Sequence, residues 1–343
     1  MFKIFKDLLV RPLKGKAAIL CFHRVLPNNL IDSEFNPNVW GLCCSNSQFE
    51  SIIYWISLKY KIVSLDELVN HLDSNSKEFL VSITFDDGYK DNLEHALPIL
   101  EKYNAPATIF ITKNFLERNT IIWWFELWEI ISERNEIDFQ FGNKNFKYST
   151  NSIAGKVEAF HSLKQLFLIN KIDNHSNILK EIAKSDVRKF YSKLFLSFKD
   201  LMILDKNPLI TIGAHTVDHE NLRNLSPIDL YSGLLLIKNE LEAILKHPVD
   251  QIAFPYGSSS EASEREYEMI KVLGYKCGVT LRSLIIGSSN KMALTRIPIS
   301  YNTNIQMLEY SFNIVSKFHI YFFEFSKYSL NILASYFFKR KIN

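Results

Sequence analysis

At 343 residues the chain is long enough to bury a full hydrophobic core, as one large α/β domain or two smaller ones. A formal charge of +3, with no dense basic-aromatic run, argues against a nucleic-acid partner. The four cysteines (Cys21, Cys43, Cys44 and Cys277) lack zinc-finger or disulfide-framework spacing and read as buried thiols of a reducing compartment.

Met1 to Lys16 mixes charged and apolar residues too closely for the apolar run of a secretory leader, and no stretch is long and apolar enough to span a membrane. The expected location is therefore cytoplasmic. Residues 1–16 are basic and amphipathic, which fits a helix packed on the domain or, alternatively, an anchor at a membrane surface. Ala17–Cys21 reads as the first strand, leading to His23. A helix from Ser47 to about Leu58 sets Phe49, Ile52, Ile53 and Ile56 near one face. A short strand (Lys61–Ser64) and a short helix (Leu65–Leu72, opened by Asp66) follow.

Residues 80–85 form an apolar, β-branched run that ends in Asp86-Asp87-Gly88, a buried strand delivering two carboxylates to its C-terminal end. That is where α/β proteins place their chemistry. Neighbouring side chains on an extended chain point in different directions, so the two carboxylates take different jobs. One can hold a metal while the other faces a bound water. The plainer alternative is a strand-to-helix turn with an N-cap aspartate. A helix around Asp91–Tyr103 and a strand around Ala107–Thr112 continue a βα alternation that favours a parallel sheet or barrel.

The rhythm breaks between about Glu117 and Lys206, a stretch rich in Trp, Phe, Lys, Asn and Ile. It opens with Ile121-Ile122-Trp123-Trp124-Phe125-Glu126-Leu127-Trp128 and continues as a hairpin, Ile137–Phe141 with Asn145–Tyr148. Helical segments follow near Ile153–Leu168, Asn177–Lys184 and Asp186–Phe198, with His161 and His175 read as surface residues. This is an insertion that forms a lid or rim, its tryptophans either an aromatic platform for the apolar face of a ligand or the filling of its own core. Alternation resumes with a strand at Leu209–Gly213, after which His215 and His219 stand four apart. Imidazoles at that spacing lie on one side of a helical turn or tight loop and can close on one ion. Two imidazoles with one carboxylate make a familiar catalytic zinc shell.

A long helix follows over Ser226–Lys246, with Ser226 as N-cap and Pro227 in the first turn. Then come a strand at Gln251–Phe254, a helix at Glu261–Leu273 stopped by Gly274, and strands at Tyr275–Val279 and Leu294–Ile297. The tail from Ile305 is rich in Phe, Tyr and Ile and ends in Lys339-Arg340-Lys341, reading as helices that cap the domain or, alternatively, dock on a membrane. His71, His95, His247 and His319 read as structural.

Thr84-Phe85-Asp86-Asp87-Gly88 together with His215-Thr216-Val217-Asp218-His219 resembles the polysaccharide deacetylases related to the nodulation chitooligosaccharide deacetylase, carbohydrate esterase family 4. Ile19-Leu20-Cys21-Phe22-His23-Arg24-Val25, Ala253-Phe254-Pro255-Tyr256-Gly257 and Leu294-Thr295-Arg296-Ile297-Pro298 match in the family's order. The resemblance covers about residues 17–300 and implies a distorted (β/α) barrel, an α/β fold with an α+β insertion and a helical C-terminal tail. One catalytic domain results, with barrel at 17–116 and 207–300, insertion at 117–206 and tail at 301–343.

The resemblance also implies roles. Asp86 becomes the base, and Asp87, His215 and His219 the ligands of a divalent metal, with zinc expected. Thr216 braces the histidine loop, and the backbone N–H of Tyr256 is the oxyanion-hole candidate, its ring shaping the sugar pocket. Two departures stand out. The family's arginine before the Pro-Tyr turn is missing from Asp250-Gln251-Ile252-Ala253-Phe254-Pro255, and Arg296 either supplies that cation or makes an ordinary ion pair. The late Leu-x-His motif is also missing. In relatives that open with a Tyr/Phe-His motif the strand-end histidine can face the metal, and the resemblance so implies His23 as the candidate acid, with a satisfied core histidine as the alternative. The implied function is metal-dependent removal of N-acetyl groups from an oligo- or polysaccharide of the cell surface or its precursor, with a lipid-linked form included. A catalytically silent glycan-binding protein and a small-amide hydrolase are the competing expectations.

Overall fold

The structure is a computed structural model that describes residues 17–31, 36, 41–74, 76, 78–117, 121–184, 191–282 and 290–313. The helix expected over residues 1–16, the tail beyond 313 and His319 lie outside the described residues.

Strands β1 (Ala17–Phe22), β2 (Arg24–Leu26), β3 (Cys43–Ser45), β4 (Lys61–Ile62), β5 (Leu80–Phe85) and β6 (Ala107–Ile111) precede the insertion. Strands β7 (Glu136–Phe141) and β8 (Lys144–Ser149) form its hairpin, and β9 (Ile210–Ala214), β10 (Gln251–Ala253), β11 (Cys277–Val279) and β12 (Ile297–Pro298) follow it. The main sheet runs β11-β10-β9-β6-β5-β1-β12, with β4 on β5, and its ladders are parallel. Parallel order suits a chain that reads strand, helix, strand.

Side chains on a strand alternate between faces, and the sequence of the strands obeys that period. Val81, Ile83 and Phe85 of β5 join Leu20, Phe22, Ile109 and Ile212 in the large outer core. Ser82 and Thr84 point the other way, beside Cys21, Thr108, Thr280 and Arg296, all buried. Helices cover the outer face. Phe22, Phe49 and Phe85 meet there with ring centroids 5.0, 5.5 and 5.7 Å apart, each ring contributing about 1.5–3 kcal/mol by burial.

The sheet curls until its edges meet at one segment. Leu294 exchanges backbone bonds with β11, its N–H donating to Gly278 O at 2.8 Å and its carbonyl accepting from Thr280 N at 2.8 Å. Three residues later Ile297 pairs with Leu20 of β1. The strand expected at Leu294–Ile297 is therefore a seam that changes partners halfway, and Arg296 sits in it.

The insertion has a core of its own, built on Trp123, Trp124, Trp128, Phe160, Phe167 and Ile178. Trp123 and Trp124 are buried, which favours the core role over an exposed sugar platform. His175 is also buried, its Nε2 donating to Phe167 O at 2.9 Å, and so the expectation of a surface residue is corrected. The helix expected at Asp186–Phe198 is not formed over its described part. Ser192–Leu194 is a 3₁₀ turn, Phe195 is extended, and the helix begins at Phe198 and runs to Asp205. Its Leu201 and Leu204 pack into the barrel core, so the second core ends near Phe195. The expected helix around Asp91–Tyr103 forms, with a π-helical turn over Asn92–Ala96 ahead of the α-helix Leu97–Lys102.

Candidate metal and catalytic site

Asp86 extends β5, its N–H donating to Phe22 O at 3.0 Å. The chain then turns through Asp87 (φ 73) and Gly88 (φ 75). A side chain at Gly88 would combine that backbone with an approach of 3.1 Å to Ile111. Strand β9 ends with His215 N donating to Ile111 O at 2.8 Å. The loop beyond it is braced as expected: His219 N donates to Thr216 Oγ1 at 3.0 Å, and Thr216 Oγ1 donates to Glu220 Oε2 at 3.0 Å. Seven non-glycine residues among those described hold positive φ. Four of them (Asp87, Thr216, His219 and Tyr256) meet here, and local strain of this kind gathers where a site must be held in one shape.

The structure brings the expected ligands together. Nε2 of His215 and Nε2 of His219 each stand 3.3 Å from Asp87 Oδ1. One donor atom from each of the three lies within 4.8 Å of the others. His215 Nδ1 donates to Ala253 O at 2.8 Å, which leaves its Nε2 as the lone-pair nitrogen. Asp87 Oδ1 is buried and meets no hydrogen-bond donor in bonding geometry. Two imidazole nitrogens and an unsatisfied carboxylate oxygen facing one point fit a divalent cation. Burial opposes charge on Asp87, but His219 and His215 outweigh it and hold the carboxyl well below the usual range. Burial pushes His215 down, yet Asp86 and Asp87 together raise it. At His219 burial prevails and lowers the imidazole.

Asp86 stands beside that point without sharing its oxygens with it. Arg296 grips it in a two-pronged pair, Nη1 to Oδ1 and Nη2 to Oδ2, both 2.6 Å. The guanidinium is fully buried and also bonds Thr84 Oγ1 and Thr280 O, each at 3.2 Å. Burial would raise the Asp86 carboxyl, but Arg296 and then His215 hold it at about 2. The Cys21 thiol donates to Asp86 Oδ2 at 3.4 Å, a contact that reading Cys21 only as a buried thiol misses. Position 21 faces inward by the same alternation that turns Ser82 and Thr84 inward, which is the signal that could have found it. Cys21, His23 and Asp86 also cluster within 4.8 Å. As a metal site that trio is poor, since Arg296 takes both carboxylate oxygens and burial pushes the thiol up. His23, at the junction of β1 and β2, is half-buried with Nδ1 lacking a partner among the described residues.

The insertion completes one wall. Trp124, Phe115 and Tyr256 surround the His219 ring at centroid distances of 5.2, 5.9 and 4.7 Å. Trp123 Nε1 donates to Tyr256 Oη at 3.2 Å. The backbone N–H of Tyr256 has no acceptor among the described residues.

The sequence model of a family described as polysaccharide deacetylase matches residues 73–192 and 199–277. YxkH of Bacillus subtilis (strain 168) is 33% identical over 100 residues, 28% of this chain. The poly-β-1,6-N-acetyl-D-glucosamine N-deacetylase of Staphylococcus aureus (strain MSSA476) is 28% identical over 194 residues, 53% of this chain. The chain spans only 32% and 61% of the lengths of these two curated relatives. Among solved structures, the deacetylase PplD of Streptococcus pyogenes in complex with acetate superposes with a TM-score of 0.58 at 19% identity, over 87% of this chain and 99% of that one. That likeness shows the barrel fold.

Proposed function

The chain belongs to the polysaccharide deacetylase family, and we propose that it is a metal-dependent hydrolase that removes N-acetyl groups from sugars of a surface polysaccharide or its precursor. One observation carries the proposal: Asp87, His215 and His219 converge while a second carboxylate, Asp86, is fixed beside them by Arg296. Two imidazoles and a carboxylate suit zinc among the divalent ions. Such an ion, when bound, supplies Lewis acidity toward the acetyl carbonyl and toward water.

The chain's own residues then divide the work. Asp86, held ionised by Arg296, takes the proton of the attacking water. The N–H of Tyr256 donates to the developing oxyanion. His23 gives a proton to the departing amine. Acetate and a free amine result.

Acetate release from β-1,6-linked N-acetylglucosamine oligomers by the zinc-loaded chain tests this reading. Asp86→Asn should reduce it by about 10²–10⁴-fold, the weight of a general base. Release unaffected by that change would refute the mechanism, and no release from any N-acetylated glycan would favour a silent glycan-binding protein. The low exposure of Asp87, His215 and His219 (2, 1 and 8%) is the observation that favours a small amide instead. Turnover that rises with oligomer length rules that out. The proposal extends to a lipid-linked acceptor met at a membrane surface, and failure to sediment with anionic phospholipid vesicles would remove that extension.

A further inference from the structure

We propose that Asn92, with Asp91 beside it, is a positioning residue for His23. The inference rests on the reading of His23 as the acid. His23 lies between β1 and β2, outside the paired residues of either, so strand pairing holds the peptide before it but not the one after it. The π-helical turn after Asp-Asp-Gly holds the peptide that follows. Asn92 Nδ2 donates to the His23 carbonyl at 2.8 Å. Asp91 Oδ1 accepts from Val25 N at 2.9 Å, and Asp91 Oδ2 accepts from Arg24 Nε at 2.8 Å. On the other side, Phe22 O accepts from Asp86 N. Both peptides flanking His23 are therefore tied to the segment that carries the two active-site aspartates.

Asp91 ties the same turn to the chain that leaves His23. It stands in helical backbone (φ −65, ψ −15) at the start of the π turn, and its side chain makes no bond within that turn's backbone. Here both oxygens reach across to the chain leaving His23. Arg24 also lies over the Tyr89 ring, 5.0 Å from its centroid, which fixes the guanidinium from the second side. The π turn, a form that recurs at functional sites, presents residues 91 and 92 together toward β2. The segment from β5 to Ala96 thus sets the base, one metal ligand and the seat of the acid.

In the step concerned the C–N bond of the acetamide breaks and the nitrogen takes the proton from His23. An aryl ester such as 4-nitrophenyl acetate needs no such proton, because 4-nitrophenolate departs as the anion. The zinc-loaded full chain is assayed on both substrates, as wild type, Asn92→Ala, Asn92→Asp and His23→Gln. Asn92→Ala and the isosteric Asn92→Asp should each lower kcat on the N-acetylglucosamine oligomer by about 10- to 100-fold with KM unchanged, and leave 4-nitrophenyl acetate turnover within about twofold. Equal losses on both substrates, or oligomer turnover close to wild type, overturn the positioning role. His23→Gln separates the two layers of inference. If it alone loses oligomer turnover selectively, the acid reading stands and only the positioning fails. If it keeps oligomer turnover, the acid reading itself is wrong.

Discussion

Arg296 is the side chain on which the electrostatics of Asp86 turn. Removing one member of a buried, two-pronged ion pair leaves the other charge uncompensated, at a cost of about 3–5 kcal/mol. Arg296→Met should therefore destabilise the fold by that order in denaturant unfolding and abolish acetate release. Combining it with Asp86→Asn should restore much of the stability and none of the activity. A single variant as stable as wild type would show that the pair contributes little. The sequence marked Arg296 as a candidate cation but left an ordinary surface or structural ion pair equally open. Its full burial against Asp86 depends on where the last strand lies, which no local pattern records. Asp86, Asp87, His215 and His219 were legible because carboxylates and imidazoles at strand ends have few structural uses in combination.

At the scale of elements, the parallel strands and the long helix Pro227–Leu245 were readable from period and caps, with Ser226 accepting from Asp229 N as its signature predicts. The insertion was less so. His175 follows Asp173-Asn174 and precedes Ser176-Asn177, a polar setting that suggests solvent, yet its ring centroid lies 5.2 Å from Phe167 and 6.3 Å from Trp123. Burial lowers its pKa. The unfolded chain, with an ordinary imidazole near 6.5, then binds a proton that the fold resists. The stability tied to a neutral His175 is present above about pH 6.5 and lost as pH falls toward the depressed folded value. Melting temperature should drop between about pH 7 and pH 5 more steeply in wild type than in His175→Gln. Parallel slopes would assign the acid sensitivity elsewhere. The π turn at Asn92–Ala96 was not legible, because its sequence is compatible with an ordinary helix.

For the whole molecule, the barrel interior sets an apolar cluster (Ile19, Phe110, Val279) beside the polar groups around Asp86, and the insertion walls the histidine side with its own aromatic core. The two cores meet at the turn after the aspartates, where Lys90 N donates to Leu194 O at 2.8 Å and Leu196 N to Gly88 O at 3.0 Å. Asp87, Asp86 and the aromatic wall are thus referenced to one strand end. Zinc titration of the metal-free chain tests that convergence most directly, read as bound zinc per chain alongside acetate release. One equivalent should bind wild type and Asp86→Asn alike, with release lost in the latter. Asp87→Ala and His215→Ala should each lose the tight site. Undiminished one-to-one binding in both of these ligand variants would contradict the convergence of Asp87, His215 and His219 on a single ion.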